Sequence, residues 1–235
     1  QIKYKMAVSV DTVYQRVLAI LNKEQRGYVT PEEFNLFANQ AQLDIFEQYF
    51  YDINQFGRMH GNDTEYSDML DNLNEKISYF EKTANLTYSS NHFQLPSDLY
   101  RVGTLVYNNK EVERVNKNEY LYIASAPLAK PTDKRPIYTK DTSGFKVYGA
   151  AEFDNAKTVS INYIKKPSKV IWNYKTVLGN AQYKATGSVD FELEPSEEVD
   201  LVIKILGMCG VEVRDLSIYQ LATQEEIRDT QEEKQ

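Results

Sequence analysis

The sequence predicts an α+β fold: a helical bundle built from both ends of the chain, with an antiparallel β-rich domain inserted between them. Three observations point to it. Apolar residues recur at helical spacing from Val10 to Phe80. Near residue 86 the period changes to two and turn residues become frequent. A helical period returns after Glu194. The bundle is accordingly assigned to residues 1–87 and 193–235, and the insert to 88–192.

The first helix is predicted from Val10 to Leu21, where Val10, Val13, Val17, Leu18 and Leu21 share a face. A second runs from Pro31 to Phe56, with Phe34, Ala38, Ala41, Ile45, Tyr49 and Ile53 as one stripe. Leu36, Leu43, Phe46 and Phe50 fall largely off that stripe. A helix apolar on more than one face is usually buried on more than one side. Its own subunit or a neighbouring one can supply the second cover, and the sequence reading favours a neighbour. A third helix is expected from Asp68 to Phe80, with Leu70, Leu73, Ile77 and Phe80 on its apolar side.

In the middle of the chain, Thr104 to Val115 reads as a hairpin turning at Asn108-Asn109, because Asn tolerates the left-handed conformation that tight turns need. "FKVYG" and "TVSINYIKKP" are expected to pair, with Val159, Ile161 and Tyr163 pointing one way and Ser160 and Asn162 the other. Asn118 to Ala124 is a candidate short helix, and Pro127, Pro131 and Pro136 mark a loop. "TVLGNAQYKATGSVDF" has no firm pattern and reads as an exposed loop or arm. The closing helix is expected to start at an N-cap Ser196, with Val199, Val202, Ile203, Leu206, Val213 and Leu216 as its stripe. Gly207 and Gly210 within it mark either a kink or a close helix–helix approach.

Composition narrows the function. Net charge is −7, which argues against holding nucleic acid by phosphate neutralisation. No stretch has the length and apolarity of a membrane span. One cysteine, Cys209, excludes an internal disulfide framework and sits in an apolar run. Eighteen tyrosines against one tryptophan suit strands and protein–protein contacts. The two histidines, His60 and His92, lack spaced partners for a metal or a nucleophile, and there is no Gly-rich phosphate loop. No catalytic, cofactor or metal residue is assigned, and an enzyme is not expected.

One stretch imitates a metal site. "NKEQRGYVTPEEF" has the spacing of an EF-hand loop, with Gly27 at its sixth position and Glu33 at its twelfth. The same frame puts Arg26 at the fifth position, where a guanidinium offers no oxygen. Read as capping, Thr30 is an N-cap, Pro31 opens a helix and Glu33 completes a capping box. The sequence thus predicts a helix–turn–helix and no calcium.

Several stretches carry a resemblance. "VYQRVLAILNKEQRGYVTPEEFNLFANQAQLDIFEQYFYDINQF" resembles the N-terminal helical hairpin of phage structural proteins, including those of crAss-like phages. "FQLPSDLYRVGTLVY", "RPIYTKDTSGFKVYG" and "SINYIKKP" resemble central strands of the head-to-tail adaptors of short-tailed bacteriophages, the tail tubular protein A-like group. "LEPSEEVDLVIKILGMCGVEVRDLSIYQLATQEE" resembles their closing helix. Residues 172–190 depart from that pattern. The resemblance implies a virion protein at the portal–tail junction, assembled in the host cytoplasm as a ring of about twelve copies. Its implied partners are other copies of itself, the portal protein and other neck or tail ring proteins. Double-stranded DNA would pass through the channel without sequence-specific binding, and no membrane is involved. Phe37, Phe46, Phe50, Leu216, Tyr219 and Leu221 are the candidate interface residues, and the segment after Leu216 is the candidate portal-docking element. A virion-borne tail hydrolase and a calcium-regulated binding module are the alternatives from other classes.

Overall fold

The computed structural model describes residues 7–23, 28–56, 64–154 and 156–212. The chain is α+β and divides into two compact units. One comprises Gln1–Lys76 with Pro167–Gln235, and the other is Ile77–Lys166. The second unit begins and ends earlier along the chain than the 88–192 expected for the insert.

The first unit contains α1 (Val10–Lys23) and α2 (Pro31–Phe56), and the predicted cap opens α2. Thr30 N–H donates to Glu33 Oε2 at 2.8 Å, and Glu33 N–H donates back to Thr30 Oγ1 at 3.3 Å. Two N–H groups that the first helical turn would leave unpaired are thereby satisfied. α3 (Thr64–Ser78) ends as the first unit gives way to the second.

The closing helix α5 (Glu198–Glu212) packs on α1 and α2. Val13, Val17 and Leu21 of α1 are buried, as are Phe34, Ala38, Ala41 and Ile45 of α2. α5 buries Leu201, Ile205 and Cys209, four residues apart along one face. This face differs from the expected one: Val202 and Leu206 are buried, but Val199 is exposed. Val213 and Leu216 lie outside the described residues. Ser196 is not an N-cap either. It falls within a 3-10 turn, Pro195–Glu197, that precedes α5. α5 continues through Gly207 and Gly210 to Glu212.

The second unit is an eight-stranded sheet. Its strands are β1 (Glu81–Asn85), β2 (Tyr88–Ser89), β3 (His92–Phe93), β4 (Leu99–Tyr107), β5 (Lys110–Arg114), β6 (Ile137–Asp141), β7 (Gly144–Tyr148) and β8 (Ser160–Lys165). Their order is β1-β8-β4-β5-β6-β7-β3-β2. The sheet is mixed rather than purely antiparallel, because β5 and β6 pair in parallel. The chain between them contains α4 (Lys117–Ser125) and the proline-bearing loop, long enough for the crossover that parallel strands require.

β7 and β8 do not pair as the sequence reading had it. β7 folds back on β6 through a two-residue turn between Asp141 and Gly144, while β8 lies between β1 and β4. β6 and β3 occupy the two edges of β7, so neither is left for β8. Gly144 is required at that turn. Its φ is 151°, and a Cβ there would collide with the Phe93 carbonyl. The expected alternation along β8 holds: Val159, Ile161 and Tyr163 are buried and Asn162 is exposed.

Candidate functional site

The stretch that resisted a sequence reading is the most constructed part of the first unit. Residues 174–183 form a hairpin, β9 (Tyr174–Val177) and β10 (Asn180–Tyr183). Its root is fixed by an unusual device. The extended segment 168–172 runs along α2, and three side-chain amides of the helix serve as the neighbouring strand. Asn35 accepts from Trp172 N–H at 2.7 Å and donates to the Trp172 carbonyl at 3.2 Å. Asn39 accepts from Val170 N–H and donates to its carbonyl, both at 2.9 Å. Gln42 donates to the Ser168 carbonyl and accepts from Glu192 N–H, both at 2.9 Å.

The spacing explains the fit. Residues 35, 39 and 42 lie on one helix face, and residues 172, 170 and 168 present alternate backbone groups to one side of an extended chain. The other side of that chain pairs with its own return: Ile171 and Val189 exchange N–H···O=C bonds at 3.1 and 2.8 Å. The segment is thus satisfied on both edges, as buried backbone must be.

Trp172 anchors the root from within. It is 1% exposed, and its indole N–H donates to Asp11 Oδ1 at 2.9 Å. Its ring lies 4.3 Å from Tyr14 and 5.8 Å from both Tyr174 and Tyr183, one from each strand of the hairpin. Beyond the strands, Lys184 N–H donates to the Asn173 carbonyl and the Asn173 amide donates to the Thr186 carbonyl.

The tip contrasts with the root. Leu178 has φ 51° and Gly179 has φ 81°, the pair of left-handed residues of a two-residue hairpin turn. The other described non-glycine residues at positive φ are Ser90, Asn91, Asn108 and Asn109, all polar. Leu178 is 98% exposed. An apolar side chain therefore stands in water at a backbone position that disfavours it.

Other exposed apolar side chains are spread over both units, Tyr28 and Val199 of the first among them. On the first unit, Leu36 and Tyr51 of α2 are 71% and 62% exposed. On the second, Leu121 and Tyr122 of α4 and Leu128 of the following loop are exposed.

No known family model matches the chain, and no curated protein sequence does.

The residues assigned to an interface divide three ways. Phe46 and Phe50 are buried and lie edge-on to each other at 5.1 Å. Phe46 and Phe50 are thus covered within one chain, whereas Leu36, from the same off-stripe set, is exposed and Leu43 is half-buried. Phe37 is half-buried. Leu216, Tyr219 and Leu221, with the rest of the candidate portal-docking segment, lie outside the described residues.

Charged clusters among the described residues are pins. Lys76 Nζ lies 2.6 Å from Glu197 Oε1, with the Glu197 carboxylate buried. Burial first, and the Glu197 charge next, push the neighbouring Tyr49 hydroxyl well above its usual range. This ion pair pins α3 to the turn that precedes α5. His92 stands 3.7 Å from Asp141, whose carboxyl is held low chiefly by Lys117. Glu33, the would-be twelfth ligand of a calcium loop, has its carboxylate engaged by Thr30, and residues 24–27 of that loop lie outside the described residues. Among the described residues no cluster of three metal-ligating side chains occurs, and no helix is long and apolar enough to cross a membrane.

Asn35, Asn39 and Gln42 are the residues that sequence reasoning missed. Their signal is an i, i+4, i+7 row of amides within a helix that has no basic residue. Period analysis counts such a row simply as polar surface.

Proposed function

We propose that this chain is a virion structural protein, a head-to-tail adaptor whose copies form a ring between portal and tail around the DNA passage. The observation that carries the reading is the anchored hairpin. Its root is held by paired amides and a buried tryptophan, while its tip holds a leucine out in solvent at a strained position. A site for a small molecule is concave and gathers polar groups inward. A rigid projection with an apolar end is suited to the surface of another protein.

The choice of an adaptor rests on the resemblance of the N-terminal helices, the central strands and the closing helix to that group. The net charge of −7 suits a wall past which DNA must slide, since like charge keeps phosphate mobile. The partners in this reading are other copies of the chain, the portal protein and adjoining neck or tail rings.

A density map of the virion tests it. The chain is expected on the portal–tail axis, repeated around the channel. Density for it in the capsid shell or on a peripheral fibre would refute the reading. Truncation after Tyr219 is expected to spare the fold and weaken attachment to the portal.

A further inference from the structure

We infer that the Tyr174–Tyr183 hairpin of one copy docks on the outer face of α2 in a second copy, by apolar contact at Leu178 and charge attraction along the strands. This rests on the ring reading and names the two surfaces that would build the ring.

The two surfaces complement each other. Between Tyr174 and Val189 the sequence has Lys175 and Lys184 and no acidic residue, in a chain whose net charge is −7. Both lysines are exposed and make no ion pair among the described residues. α2 has the opposite character: Glu32, Glu33, Asp44, Glu47 and Asp52, with no lysine or arginine. Its outer face carries Leu36, Gln40, Leu43, Glu47 and Tyr51 at helical spacing. Leu36 and Tyr51 are exposed at its two ends, with the exposed carboxylate of Glu47 between them.

The sizes agree. Leu36 to Tyr51 spans roughly 22 Å at the helical rise. Tyr174 to Leu178 reaches about 13 Å at the rise of a strand. Leu178 does not sit on the helix of its own chain, because it is 98% exposed. The receiving face must then belong to another molecule. Two unlike patches on one molecule give a heterologous contact, and such a contact closes into a ring when its rotation allows.

The experiment uses the full chain, with association followed by sedimentation and mass photometry. Leu178→Asn removes the apolar tip while installing a residue that favours the left-handed turn. Its melting temperature is expected to hold or rise while self-association weakens at least about tenfold, a change that misfolding cannot produce. Lys175→Glu with Lys184→Glu is expected to weaken association similarly. Glu47→Lys alone should do the same, and adding it to the double reversal should restore part of the loss. Chains bearing Leu178→Cys mixed with chains bearing Tyr51→Cys should form disulfide-linked pairs that neither forms alone.

Unchanged association in Leu178→Asn and in the double reversal would overturn the inference, and closed rings in those same variants would leave the adaptor reading standing. Weakening by the arm variants without any effect of Glu47→Lys, and without the mixed disulfide, would overturn α2 as the receiving face. A wild-type chain that stays monomeric up to its solubility limit would count against both. Binding of duplex DNA by wild type, lost in the lysine reversals and unaccompanied by self-association, would assign the arm to phosphate instead.

Discussion

Two hairpins of this chain turn on the same backbone geometry with opposite side chains. The β4–β5 hairpin turns at Asn108 and Asn109, with φ 48° and 62°. The β9–β10 hairpin turns at Leu178 and Gly179, with φ 51° and 81°. Asn in the left-handed region is stabilised by local hydrogen bonding, whereas a side chain such as Leu costs roughly 1–2 kcal/mol there. The first turn is what the backbone asks for. The second is tolerated, and the residue that makes it costly also stands in solvent. Folding alone gives no reason for such a leucine, and contact with another surface does.

The roots differ as well. Asp98, which precedes β4, is held by charge: it accepts from Lys82 Nζ and from the Tyr163 hydroxyl, both at 2.7 Å. The segment leading to β9 is held by neutral amides of α2. The comparison can be broken at four points. The largest effect is expected at Trp172. Trp172→Ala should destabilise the first unit by about 4 kcal/mol, as large-to-small changes at fully buried aromatics do. Urea unfolding followed by circular dichroism measures this, and a loss below about 1 kcal/mol would deny Trp172 its role as anchor.

Next comes the ladder. Asn39→Ala strips Val170 of a donor and an acceptor and should cost roughly 2 kcal/mol. Hydrogen exchange should show the Val170 amide losing protection while the Leu105 amide keeps it.

The turns themselves follow. Asn108→Leu should destabilise by about 1 kcal/mol, and Leu178→Asn should stabilise by about as much. Equal and small effects at both sites would mean that Leu178 is not strained.

The smallest effect is one of pH. Lys82 first, and Tyr163 next, hold the Asp98 carboxyl below its usual range. A carboxyl lowered in the folded state contributes stability that is complete above its unfolded value of about 3.9 and is lost as pH falls through the lower folded value. Acid should therefore loosen the Asp98 root, and Asp98→Asn should remove that dependence. The amides of Asn35, Asn39 and Gln42 have no charge to lose, so their bonds to Trp172, Val170 and Ser168 should change little over the same range. Melting curves of wild type and Asp98→Asn from neutral pH down to about pH 3 make the comparison.

What the sequence could show follows from how local each signal is. The start of α2 at Pro31 was legible to the residue, because Thr30, Pro31 and Glu33 state it in four positions. The Asn108-Asn109 turn was legible for the same reason. The partner of β7 was not, since "FKVYG" is equally apolar toward β6 or β8 and only the Asp141–Gly144 turn decides. The face of α5 was misplaced by about one residue, because Leu201, Val202, Ile205 and Leu206 compete with Val199 and Ile203 in a nearly all-apolar run. The candidate site was the least legible part. Its root depends on Asn35, Asn39 and Gln42 meeting Trp172, Val170 and Ser168 across some 130 positions of sequence. Its tip breaks the propensity that would have announced a turn.

The central claim, that this chain is a ring subunit, is tested most directly by electron microscopy of the purified full-length protein. Class averages of wild type are expected to show closed rings of about twelve subunits with an open channel, and Leu178→Asn is expected to show fewer closed rings at the same concentration. Wild-type images containing only single particles of one chain, at every concentration that stays soluble, would contradict the account.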